Sequence, residues 1–114
     1  MPVITAEKLQ AFAEALFVAG GAEAADAGIV ATSLVDANLR GHDSHGVMRI
    51  PFYIAKVQEG ALNAKGRLQI VHETPAVLVG DGEWGFGQVL AQDLMRRLIV
   101  KAGQIGMACG TLRR

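Results

Sequence analysis

Apolar residues recur at helical spacing through the first half of the chain and at strand spacing in parts of the second. Leu9, Phe12, Ala13, Leu16 and Phe17 share one helix face, Thr5 can cap that helix, and Gly20-Gly21 ends it. A second helix is predicted from about Ala22 to Leu39, with a buried stripe of Ala27, Val30, Ala31, Leu34 and Ala37. Such small side chains permit close packing against the first helix, and Gly41 is the expected terminator. A third helix should start near Arg49 or Ile50 with Pro51 in its first turn, where the missing N–H costs nothing. Ile50, Tyr53, Ile54 and Val57 then line one face, Gly60 closes the helix, and residues 61–66 read as a loop.

Leu68-Gln69-Ile70-Val71-His72 alternates like a half-buried strand, Glu73-Thr74-Pro75 is a turn, and Ala76-Val77-Leu78-Val79 is a second strand, so a hairpin is expected. The glycine-rich loop Gly80-Asp81-Gly82-Glu83-Trp84-Gly85 leads into a last helix, Gly87 to about Ala102. Leu90, Leu94, Met95, Leu98 and Ile99 should point inward, with Gly103 as the cap and Ile105 to Cys109 as a returning strand. Strand, loop, helix and strand form a βαβ-like unit with parallel strands. The fold class is α+β or α/β: a three-helix segment over 1–60, then the start of an α/β unit over 61–114, together one domain. A sheet that begins this late has few strands to complete it, so the expectation is the N-terminal piece of a longer protein.

Composition narrows the function classes. The 114 residues are 51% hydrophobic and only 19% charged, a balance that favours an exposed apolar patch for another domain or subunit. Eleven basic and eleven acidic residues leave no electrostatic footprint for nucleic acid or an anionic membrane. The single Cys109 excludes an internal disulfide and favours a reducing compartment. No signal-like N-terminus and no apolar run near the roughly 20 residues of a membrane helix is found, so a soluble cytoplasmic protein is expected.

The densest chemistry lies between the second and third helices, in Arg40-Gly41-His42-Asp43-Ser44-His45-Gly46-Val47-Met48-Arg49. One reading is a polar inter-helix turn with a capping Asp or Ser. A metal site at His42, Asp43 and His45 would make a metal-dependent hydrolase, but it lacks a clear further ligand. Acid–base chemistry fits better: His45 can donate and accept a proton near neutrality, and Ser44 or Asp43 can fix its tautomer. Arg49 carries a planar fork suited to a carboxylate. A histidine with an arginine is what reduction of a 2-oxo acid requires. A serine hydrolase built on Ser44 is disfavoured, because its neighbour in sequence, His45, rarely reaches nucleophile–base geometry. Gly80, Gly82 and Gly85 match the dinucleotide pattern G-x-G-x-x-G, but Glu83 and Trp84 put charge and bulk into the cradle and no Asp or Glu follows Asp93. The loop therefore reads as a strand-to-helix turn. His72 reads as structural, Trp84 as a cap over the core edge, and Cys109 as inert within an apolar strand.

The run from Asn38 through Pro51, with its Ser44-His45-Gly46 and Arg49 core, resembles the signature of the malate/L-lactate dehydrogenase family of type 2. The likeness extends to Gly60-Ala61-Leu62, the hairpin, the glycine-rich turn and Lys101 to Gly106. It implies NAD- or NADP-dependent interconversion of a 2-oxo acid and a 2-hydroxy acid, in a homodimer, on a cofactor fold other than the usual Rossmann arrangement. By position, His45 corresponds to the histidine proposed as proton donor in some members, Ser44 to the residue that would orient it, and Arg49 to the binder of the substrate carboxylate. The family pattern continues beyond Thr111-Leu112-Arg113 with an asparagine and a second histidine motif, which in some members is assigned the acid–base role, so the resemblance implies an N-terminal portion. The alternative is an inactive fragment serving only as an assembly or dimerisation module.

Overall fold

The computed structural model describes residues 2–114. It divides into two compact units, Met1–Lys65 and Gly66–Arg114.

The first unit is helical. Helix α1 (Ala6–Ala19) starts at Thr5, whose hydroxyl accepts from the Lys8 N–H. Helix α2 (Ala24–Leu39) packs against it, and α3 (Ile50–Gln58) carries Pro51 in its first turn. All three end with the same paired backbone closure: Gly21 to Val18 with Ala22 to Phe17, Gly41 to Asn38 with His42 to Ala37, and Gly60 to Val57 with Ala61 to Lys56. Ala13, Phe17, Ala27, Val30, Ala31, Leu34, Val35 and Ile50 form the core. The alanines let α1 and α2 approach closely, and Phe17 meets the Tyr53 ring with centroids 6.1 Å apart. Phe12 departs from its expected place and is 61% exposed. The buried side of α1 is narrower than its apolar stripe.

The second unit is a three-stranded mixed sheet with one helix. Strands β1 (Gln69–Glu73) and β2 (Val77–Asp81) pair antiparallel with an irregularity between Ile70 and His72. Helix α4 (Gly87–Ile105) crosses over to β3 (Cys109–Arg113), which pairs parallel with β2 and makes the order β1-β2-β3. Leu68, Leu78, Leu90 and Leu94 form its core, with Ile70, Leu98 and Leu112 packed around them. Gly80 and Gly110 lie within strands, and a Cβ at either would meet leucine side chains. Glycine there lets the leucines rest on the sheet. The fold class is thus α+β, one of the two classes read from the sequence.

Several expected boundaries move. Helix α4 runs through Gly103, and Gly106, at φ +95°, ends it. The stretch expected as a strand from Ile105 supplies instead the end of α4 and a turn, and β3 begins at Cys109, which is exposed. Met95 and Ile99 face outward, and Trp84 is mostly exposed rather than closing the core edge. Gly80 and Asp81 belong to β2, so the glycine loop proper is residues 82–85. No helix among the described residues is long and apolar enough to cross a membrane.

Candidate active site in the turn after α2

Helix α2 stops because Gly41 takes a left-handed conformation, φ +81°. The chain then turns back along the end of α2 in two 3-10 turns, Asp43–His45 and Val47–Arg49, before α3 starts at Ile50. The turns close through His45 N–H to the His42 carbonyl, Gly46 N–H to Asp43, and Arg49 N–H to Gly46, all between 2.9 and 3.0 Å. Such short turns hold poorly alone, and here a side chain of α2 supports them. Asn38 Nδ2 donates to Asp43 Oδ1 at 2.8 Å, and Asn38 Oδ1 accepts from the Val47 N–H at 2.8 Å.

The three residues singled out from the sequence come together on this turn. Ser44 Oγ lies 3.0 Å from His45 Nδ1. Arg49 Nε donates to the Ser44 carbonyl at 2.8 Å. That bond takes the Nε side of the guanidinium, so a carboxylate would meet Arg49 end-on through Nη1 and Nη2. His42, Ser44, His45 and Arg49 are all exposed. His45 and His42 also line a pocket of about 400 Å³ with Ser33, Asp36, Ala37 and Arg40. Arg49 is not in that lining. Arg40, which pairs with Asp36 at 2.8 Å, is the arginine in that lining. Sequence reasoning assigned no role to Asn38 or Arg40. Asn38 stood at the end of a predicted helix and at the start of the run that carries the resemblance, and Arg40 was one of two arginines flanking the motif.

The metal reading finds no support in the arrangement. Asp43 is engaged by Asn38 and His45 Nδ1 by Ser44, and among the described residues no group of three His, Cys, Asp or Glu side chains could hold a metal ion.

The glycine loop does not fit a pyrophosphate. A Cβ on Gly82 would strike Leu90 and the Arg114 carbonyl, and Gly85 sits against Gly66. The space that the glycines open is filled by the protein's own atoms. Glu83 and Trp84 take positive φ, 52° and 59°. Beneath them the buried Asp81 carboxylate accepts from the Glu83 N–H at 2.9 Å and pairs with Arg114 and Arg113. The Glu83 N–H and then Arg114 hold the Asp81 carboxyl below the usual aspartate range. A second pocket in this unit, about 350 Å³, is lined by Ile70, Glu73, Leu78, Arg97, Val100, Lys101 and Gln104. Lys101 spans from α4 to the hairpin, 2.7 Å from Glu73 and 2.9 Å from the Thr74 carbonyl. Its hydrogen bond and charge pull the Glu73 carboxyl down.

Residues 4–114 match the malate/L-lactate dehydrogenase sequence family. Hydroxycarboxylate dehydrogenase B of Escherichia coli is 41% identical over 107 residues, 94% of this chain and 30% of that protein. L-sulfolactate dehydrogenase of Methanocaldococcus jannaschii is 44% identical over 82 residues, 72% of this chain and 24% of that protein. The solved malate dehydrogenase of Pyrococcus horikoshii superposes with a TM-score of 0.91 at 32% identity, over 96% of this chain and 31% of that one. The chain thus spans at most about 30% of the length of these curated relatives.

Proposed function

Because the chain belongs to the malate/L-lactate dehydrogenase family, we propose that it carries the proton-handling and carboxylate-anchoring residues of an oxidoreductase interconverting a 2-oxo acid and a 2-hydroxy acid. The observation behind this reading is the ordered turn itself: Ser44 on His45 Nδ1, and Arg49 tied to the Ser44 carbonyl. With Nδ1 engaged, Nε2 is the nitrogen left for substrate. His45 gives its proton to the C2 oxygen as the keto carbon is reduced, and takes it back in the reverse direction. Arg49 holds the substrate carboxylate through its outer edge. A dehydrogenase of this class uses a nicotinamide cofactor, NAD or NADP. The glycine loop does not suit it, and no residue of this chain is assigned to holding it. A homodimer and a cytoplasmic location belong to the same reading.

The test is turnover of a panel of 2-oxo acids with NADH and with NADPH, comparing the parent with His45→Ala and Arg49→Lys. Loss of the general acid should lower kcat by roughly 100- to 10,000-fold. Arg49→Lys should mainly raise KM for the oxo acid, since lysine cannot make the two-pronged contact. Unchanged turnover in His45→Ala refutes its role. The exposed apolar side chains Met95, Ile99, Val100, Ile105 and Met107 favour a second reading, an assembly module without activity. Self-association without binding of either nucleotide would support that alternative.

A further inference from the structure

The turn that carries His45 projects its polar side chains into solvent and has no helix ladder of its own. Its three backbone hydrogen bonds are joined by two from one half-buried carboxamide on α2. Asn38 Nδ2 donates to Asp43, the first residue of the first 3-10 turn, and Asn38 Oδ1 accepts from Val47, the first residue of the second. The two bonds bracket Ser44, His45 and Gly46. Gly46 is buried against the same amide, and a Cβ there would overlap the Asn38 Oδ1, Cγ and Nδ2 atoms. The backbone of Asn38 takes part as well, because its carbonyl accepts the Gly41 N–H at 3.0 Å in the closure of α2.

This site needs an amide. A leucine would offer neither donor nor acceptor. An aspartate would accept from Val47 but set a second carboxylate against Asp43. Ser44 and His45 are adjacent residues, so the 3.0 Å contact between their side chains survives only in a narrow range of backbone conformations. From these contacts we infer that Asn38 is the positioning residue for His45. Its carboxamide sets the turn that holds Ser44 on Nδ1 and so presents Nε2 outward. The side-chain hydrogen bonds of Asn38 go to Asp43 and Val47, and Asn38 is not itself among the residues lining the adjacent pocket. The inference deepens the reading of His45 as proton donor and rests on it for its catalytic meaning.

The experiment is 15N NMR of the neutral histidine side chains in the parent protein and its variants. A ring held by Ser44 at Nδ1 shows two well-separated nitrogen resonances, as one tautomer does. Asn38→Asp should lose that separation, with His45 moving to the averaged signature of a free histidine. Combining Asn38→Asp with Asp43→Asn exchanges donor and acceptor while keeping both hydrogen bonds, and should restore the separation. Gly46→Ala should lose it with Asn38 intact, because the new methyl displaces the amide. His72, on β1 in the other unit, should stay unchanged throughout. If Asn38→Asp does not fold, Asn38→Gln takes its place: it keeps the amide but misplaces it, and the same loss is expected. Unchanged His45 resonances in the single variants overturn the inference, and so does a double exchange that fails to recover them. Recovered resonances with turnover insensitive to every variant would leave Asn38 positioning His45 and remove His45 from the reaction.

Discussion

Phe12 and Phe17 lie five residues apart on one helix, and truncating them to alanine should have very different consequences. Phe17 is 1% exposed and rests against Tyr53 at 6.1 Å with the rings tilted by 48°. Removing its ring forfeits on the order of 150 Å² of buried apolar surface, about 4 kcal/mol at ~25 cal/mol per Å². The denatured chain already hides part of that area, which lowers the figure, while the cavity left behind raises it. The expected loss is therefore about 3–5 kcal/mol. Phe12 is 61% exposed, so less than half of that area is at stake, and alanine's better helix propensity offsets part of it. Its loss should be about 1 kcal/mol. Domains of this size hold only about 5–15 kcal/mol, so Phe17→Ala should leave the helical unit close to unfolding at room temperature. Urea denaturation followed by far-UV circular dichroism and by Tyr53 fluorescence, with linear extrapolation, reads the difference. Tyr53 is the chain's one tyrosine and lies in the same unit. Losses within about 1 kcal/mol of each other, well inside the expected gap, would refute the assignment of the inner face of α1.

Asp81 should shape the acid limb of stability. Its folded carboxyl lies below the ordinary value of 3.8, held there by the Glu83 N–H and Arg114. Its stabilising contribution is therefore complete above that value and is lost as pH falls through the lower folded one. Asp81→Asn should lower the denaturation midpoint at neutral pH and converge on the parent in strong acid. A constant offset across the titration would contradict this. Glu73, lowered by Lys101, acts with the same sign, so some acid dependence should persist in the variant. The two glycines near the end of α4 should respond oppositely to alanine. Gly103→Ala, inside the helix with open space beside it, should raise stability by about 0.5–1 kcal/mol. Gly106→Ala, at φ +95°, should lower stability by about 1 kcal/mol or more. Thermal melts of the pair decide, and equal signs would contradict the observed end of α4.

Local pattern carried much of this molecule. The spacing of Ala27, Val30, Ala31 and Leu34 placed α2 and its buried side. Thr5, Pro51 and the glycines at 21, 41 and 60 marked helix ends, because capping and left-handed closure involve only neighbours within a few residues. The hairpin was legible for the same reason; a parallel returning strand was expected as well, but at residues 105–109, whereas β3 is Cys109–Arg113. The motif from Ser44 to Arg49 was visible because its polar residues interrupt two helical patterns. What could not be read depended on groups remote in sequence or on competition between equivalent signals. Phe12 and Phe17 match the helical period equally well, and the packing of α2 and α3 against α1 chooses between them. Gly103 and Gly106 can both stop a helix, and the closure takes the second because Gly103 has no need of a positive φ. Gly80, Gly82 and Gly85 spell a phosphate loop, yet Leu90, Gly66 and Arg114 occupy the space that they open. Asn38 gains its importance only when Gly41 folds the chain back and brings Asp43 and Val47 to one amide. Periodicity and end signals are properties of consecutive residues and can be written in a sequence. Which face is covered, and which polar atom finds its partner, is settled by three-dimensional packing, where a side chain answers to whatever lies across from it.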